Sequence, residues 1–208
     1  MLNRTRWLEP LDRLRTAAAN FRAARQGIAA TEFALILPVM VLMYLGTVEV
    51  TQGIQAKRRV NMLARTLSDL TSQSANLSTT GLSAIFDAAK VVMTPLSTTP
   101  LKMRITSVII APDGKTCVDW SFSNPSGDIH PVGQPVDMPT GLVDPDAKTW
   151  QSIIMAEVQY DYTPVTAYVI TGTINISDSP AYMRPRASPR VTIDGEPDGC
   201  ASITNVTS

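Results

Sequence analysis

Glu32 is the residue whose placement most needs a physical reason. It stands immediately before Phe33–Val48 (FALILPVMVLMYLGTV), sixteen residues without a charge. A carboxylate at the edge of such a segment loses solvation unless it is paired, which makes it a functional candidate. The competing explanation is a charge held at a helix N-terminus by the macrodipole. Five residues upstream lies Gly27, and a bare glycine backbone lies readily extended in a narrow protease cleft. Cys117 and Cys200 either form one bridge or remain two thiols, because sequence does not give their separation. His130, between Ile129 and Pro131, reads as an ordinary loop residue. Arg184, Arg186 and Arg190 either grip a partner's carboxylates or belong to a solvated, proline-stiffened tail. Asp144 and Asp146 sit in a proline-rich turn and offer at most a weak calcium contact.

Several chemistries find no support. One histidine and two cysteines make neither a zinc finger nor a multi-histidine metal site. There is no G-x-S-x-G elbow and no G-x-x-x-x-G-K-[ST] phosphate loop. Eighteen basic and eighteen acidic residues cancel, whereas a nucleic-acid-binding domain carries a basic excess. We therefore expect no enzyme, no cofactor, no metal and no nucleic-acid partner.

The cancelling charges are unevenly spread. Residues 1–65 carry ten basic and four acidic residues, a net of +6, and residues 66–208 carry eight and fourteen, a net of −6. Such asymmetry marks a membrane or partner contact at one end. Extended back to Ile28, the apolar run reaches twenty-one residues. As a helix it spans roughly 31 Å, about one hydrocarbon thickness. A buried core helix and a cleaved secretory signal compete with a single membrane anchor. The signal would require small residues after the apolar run, where the text is Glu49-Val50-Thr51-Gln52-Gly53, and 27 residues is long for its basic region. The anchor is the favoured reading. Arginines and lysines flank the run on both sides, so the positive-inside count is near a tie. The two cysteines and the acidic surplus place the C-terminal part in an exported, oxidising compartment and the N-terminus in the cytoplasm. Pro38 inside the run is compatible with a membrane helix, and Glu49 reads most simply as a headgroup-level charge, with an assembly contact as the alternative.

The run Arg25-Gln26-Gly27-Ile28-Ala29-Ala30-Thr31-Glu32-Phe33 resembles a prepilin processing site: a basic leader, a glycine, a glutamate fifth in the mature chain, an aromatic, then an apolar helix. More specifically, EFALILPVMVLMYLGTVEV resembles the TadE-like pseudopilins of the tight-adherence (Tad/Flp) pilus machinery. Softer matches follow at Val158-Gln159-Tyr160-Asp161-Tyr162-Thr163-Pro164 and at Arg184-Pro185-Arg186. The resemblance implies cleavage between Gly27 and Ile28 by a prepilin peptidase. It implies that Glu32, with Phe33 beside it, pairs with the free α-amino group of a neighbouring subunit during assembly. Many pilins carry methionine or phenylalanine where this chain has Ile28. The implied partners are the peptidase, other pilins and pseudopilins, the inner-membrane assembly platform and membrane lipid.

The elements that position these residues follow from periodicity. Leu8, Leu11, Leu14, Ala18 and Phe21 give the leader an apolar helical face, suited either to an anionic membrane surface or to a short solvated helix. Val50, Ile54, Val60, Leu63, Ala64, Leu67 and Leu70 extend the membrane helix to about Ser72 as one stripe. Leu82, Ile85, Phe86, Ala89 and Val92 predict a second helix, capped by Thr79 or Thr80 and ended before Pro95. Leu101–Ile110 and Cys117–Phe122 predict a hairpin across Ala111-Pro112-Asp113-Gly114, with Val118, Trp120 and Phe122 on one face. Residues 123–149 read as a long surface loop. Ser152–Tyr162 is the clearest strand, with Ile154, Ala156, Val158, Tyr160 and Tyr162 on one face. Ala167–Ile176 predicts a fourth strand, Ser179–Arg190 an irregular stretch, and Val191–Ile193 a short edge strand. The expected organisation is a basic leader (1–27), a membrane helix (28–48, including Phe33, Pro38 and Val48) and a periplasmic pilin-like α+β domain with an antiparallel sheet (49–208). The expected function is that of a minor pseudopilin in pilus assembly. The alternative is an uncleaved, membrane-anchored periplasmic binding module that uses loop 123–149 as its surface.

Overall fold

Helical periodicity predicts one helix from about Ala29 to Ser72, with its apolar stripe interrupted at Lys57, and the computed structural model builds it as one helix, α1 (Gln26–Ser72). The structure describes residue 20 and residues 26–143, 148–164, 171–177 and 180–204. All but Asn20, Gln26 and Gly27 of the expected leader lies outside the described residues. The chain divides into two compact units, Met1–Val48 and Glu49–Ser208.

In the first unit the helical side chains from Gly27 to Tyr44 are exposed. The helix continues through Pro38, whose missing N–H leaves the carbonyl one turn earlier without its usual partner. Thr31 Oγ1 and Thr47 Oγ1 donate to the carbonyls of Ile28 and Met43, each at 2.8 Å. The helix thereby satisfies these two threonine hydroxyls, as a membrane-crossing segment would require.

In the second unit α1 buries Ala56, Val60, Leu63, Ala64 and Leu67, spaced by four, three, one and three residues. This face differs from the expected stripe. Val50 and Ile54 are about half exposed, at 51% and 50%, because the 3.6-residue turn carries Ala56, not Ile54, onto the buried line. A two-residue strand β1 (Asn76–Leu77) follows, then α2 (Thr79–Lys90). Ser78, not Thr79 or Thr80, is the N-cap; its hydroxyl accepts from Gly81 N–H. Leu82, Phe86 and Ala89 form the buried face of α2. A 3-10 turn, Val91–Met93, ends it, and the Arg59 guanidinium donates to the carbonyls of Val92 and Thr94.

The sheet is antiparallel and α+β in arrangement: β2 (Leu101–Ile110), β3 (Thr116–Asn124), β4 (Gln151–Tyr162), β5 (Ile174–Ser177) and β6 (Ala181–Met183), in the order β3-β2-β4-β5 with β6 also on β4. The β2–β3 turn closes where expected. Ala111 accepts from Gly114 N–H, and Gly114 holds φ at +81°, a region a side chain would strain. Register pairs Ser107 with Trp120 but Val108 with Val118, so Asp119 bulges. The extra residue carries Val118 to the face opposite Trp120 and Phe122, which corrects the expected single face. The expected Ala167–Ile176 strand is shorter where described, beginning at Ile174, and 165–170 lie outside the described residues. Within the stretch expected to be irregular, β6 pairs with Ile154–Ala156. β7 (Thr192–Ile193) pairs in parallel with β1, not with the main sheet.

Ile154, Ala156, Val158, Tyr160 and Tyr162 share the core with Leu101, Met103, Ile105, Trp120 and the buried faces of α1 and α2. Each large apolar side chain fully buried there contributes about 1.5–3 kcal/mol relative to exposure. A four-residue helix, α3 (Ala201–Thr204), follows Cys200.

Candidate functional site

Helical geometry fixes what the N-terminal residues can do. Gly27 and Ile28 lie in the first turn of α1, where backbone N–H groups have no intrahelical partner. Ile28 and Glu32 are four residues apart and so share a face, about 6 Å apart along the axis. Glu32 is exposed amid apolar neighbours, with Ile28 58% and Phe33 61% exposed. The unit therefore offers an apolar cylinder carrying a carboxylate one turn from its start. By length and composition, Gly27–Ser72 holds one stretch able to cross a membrane. Pro38 sits in the interior of that apolar cylinder and Val48 at the end of the unit, half-buried.

Glu49 corrects the expectation of a headgroup-level charge. Its side chain is fully buried in the second unit. Burial pushes the Tyr162 phenol above its ordinary range, and the Glu49 charge pushes it the same way. Tyr162 also donates to Gln52 Oε1 at 3.5 Å. The end of the apolar signature and the tyrosine strand, 113 positions apart in sequence, therefore meet in space.

The second cluster gathers at the carboxyl-terminal end. Cys117 and Cys200 are bridged, their Cα atoms 6.0 Å apart. Arg190 pairs with Asp198 at 2.7 Å and lies 3.9 Å from Asp119. Asp119 is 3% exposed. Burial is the main reason its carboxyl is pushed up to about 6; Arg190 opposes the rise, Asp198 adds to it, and the Gly199 N–H opposes it. Gly199 packs so tightly that an added Cβ would lie 2.4 Å from Val132 Cγ1 and 2.5 Å from the Asp119 carbonyl oxygen. This cluster was missed from sequence although a signal existed: Asp119 follows Cys117 by two positions and Asp198 precedes Cys200 by two, so bridging brings both acids together.

A third cluster ties the loop that follows β3 to the sheet at Asp128 and His130; Ser123 and Asn124, expected in the loop, end the strand instead. Arg104 donates from Nε and Nη2 to both carboxylate oxygens of Glu157, at 2.7 and 2.9 Å, and from Nη1 to Asp128 at 2.9 Å. His130 Nε2 lies 2.9 Å from Glu157 Oε2. Burial acts to raise the Glu157 carboxyl, but Arg104 and His130 outweigh it and hold it below its usual range. His130 is thus a tether between loop and sheet, not an unattached loop residue. The loop walls a cleft of about 300 Å³ beside Lys102, Arg104 and Gln159. Neither this contact nor the Arg104–Glu157 pairing is legible without the strand register.

The tail arginines divide. Arg186 pairs with Asp69 at 3.1 Å and its N–H donates to the last-turn carbonyl of Ser72, Arg190 joins the disulfide cluster, and Arg184 is exposed. Among the described residues no three His, Cys, Asp or Glu gather as metal ligands; Asp144 and Asp146 lie outside them.

Residues 27–68 match the family model of the TadE-like proteins. No curated protein and no solved structure matches the chain.

Proposed function

We propose that this chain is a minor pseudopilin supporting assembly of a Tad/Flp-type pilus. In this reading it is a single-pass inner-membrane protein with its N-terminus in the cytoplasm and residues 49–208 in the periplasm. A prepilin peptidase cuts it between Gly27 and Ile28. It is a substrate of that enzyme and not itself an enzyme. The observation that carries the reading is the exposed Glu32 on an otherwise apolar, exposed helix, inside the stretch that matches the TadE-like proteins.

The physical steps are simple. The first helical turn holds few backbone hydrogen bonds, so it opens at low cost to present Gly27 in extended form. Cleavage removes six arginines and two acids and creates an α-ammonium on Ile28. That cation and the Glu32 carboxylate then lie on one helical face. In lipid each is tolerable only when paired, so neighbouring pilin helices that exchange these partners gain a fixed axial register. Phe33 and the residues after it supply the lipid- and helix-facing surface, and the periplasmic body makes lateral contacts with other pilins and the assembly platform.

N-terminal sequencing and intact mass of the protein from native membranes test the reading. The expected mature chain begins at Ile28. Gly27→Leu should abolish processing, and Glu32→Ala should impair piliation while leaving insertion intact. Recovery of a chain still carrying residues 1–27, with normal piliation in both variants, would overturn the proposal. The helix would then be only the anchor of a periplasmic binding module.

A further inference from the structure

The end of β4 nearest the disulfide holds a second cleft, of about 450 Å³. Strand β6 pairs with β4 no further than Met183 opposite Ile154. Beyond that pair the chain leaves the sheet through Arg184, Pro185, Ser188 and Pro189, which form one wall of the cleft; Trp150 and Ser152 form the other. Among the described strands, Gln151–Ile153 are paired through β2 on one side only.

Two observations give this cleft a chemistry. Trp150 is half-buried, held from behind by packing against the cluster of Ile109 and the Cys117–Cys200 bridge. Arg184 is exposed and makes no ion pair among the described residues, while Arg186 and Arg190 are engaged by Asp69 and Asp198. A flat indole and one guanidinium with no ion pair among the described residues, beside an open strand edge, suit an extended chain bearing a carboxylate.

The geometry points to a binding site for an extended acidic peptide segment of a partner protein, laid along the open edge of β4 with a carboxylate on Arg184 and an apolar side chain against Trp150. The edge supplies main-chain hydrogen bonds, and the side-chain contacts select acidic over neutral sequences. The inference does not rest on the pseudopilin reading, since it concerns the second unit alone and is tested on the isolated protein.

The test uses the detergent-solubilised full chain and a fluorescein-labelled, capped hexapeptide of alternating valine and glutamate, with the valine–glutamine hexapeptide as control. Fluorescence anisotropy should show the acidic peptide binding more tightly than the neutral one. Arg184→Gln should reduce its affinity on the order of fivefold, in keeping with one partly solvated charge pair, and Trp150→Ala should reduce binding of both peptides. Unchanged thermal unfolding of Arg184→Gln separates lost recognition from lost folding. The proposal is overturned by equal binding of both peptides, by binding unaffected in Arg184→Gln, or by no binding at millimolar peptide. Glucuronate binding that depends on Trp150, without peptide binding, would assign the cleft to a saccharide and equally overturn it.

Discussion

Removing the Cys117–Cys200 bridge should strongly destabilise the second unit. The two cysteines are 83 positions apart, so the bridge closes a large loop and restricts the unfolded chain. In the chain-entropy model a loop of that size corresponds to about 4.6 kcal/mol at 25 °C. The native state adds no obvious opposing strain, since the Cα separation of 6.0 Å lies within the common range for disulfides. Two losses follow in the folded state as well: the Asp119–Arg190–Asp198 cluster loses its fixed neighbour, and Trp150 loses part of its support. The double variant Cys117→Ser, Cys200→Ser is therefore expected to lose about 4–5 kcal/mol, a large share of a small domain's total stability. Urea unfolding of the detergent-solubilised chain, followed by tryptophan fluorescence, measures it. The midpoint should fall sharply, and adding reductant to the wild-type chain should reproduce the fall. A loss below about 1 kcal/mol would refute the entropic argument and mean that the unfolded chain is already compact between these positions.

Asp119 gives a pH dependence of definite sign. Its folded pKa, about 6, lies above the unfolded value of 3.8, so the folded state holds the proton more tightly. Its unfavourable contribution is absent below about pH 4, grows as pH rises through 6, and reaches about 3 kcal/mol above that. Asp119→Asn should flatten this part of the stability–pH curve between pH 4 and 7; a curve of unchanged shape would remove Asp119 as its source. Gly199→Ala should destabilise by about 2 kcal/mol or more, because its Cβ would meet backbone oxygens of Val118 and Asp119 as well as Val132. Thermal unfolding checks this, and an unchanged Tm would mean that the tail repositions freely.

Much of the architecture was legible because it rests on local periodicity. The sixteen uncharged residues after Glu32, the helix to Ser72, the 101–110 strand and the alternation from Ile154 to Tyr162 are each decided within a few neighbouring residues. The N-terminal constellation of Gly27, Ile28, Glu32 and Phe33 was legible for the same reason: its members lie within seven residues, and helical geometry alone sets their mutual placement.

What the tertiary structure decided depends on register and on long loop closures. A single bulged residue, Asp119, sends Val118 to the other face of the sheet, and no alternation pattern announces it. Strand pairing places Arg104 against Glu157, and the loop return then adds Asp128 and His130. From its apolar neighbours in sequence Glu49 reads as a membrane-surface charge; it is buried in the second unit, where Tyr162 comes close enough to feel its charge. Sequence by itself determined the amphipathic elements, whose cause is the period of the chain. Only the fold decided which charges are paired, because pairing depends on contacts between residues tens to more than a hundred positions apart.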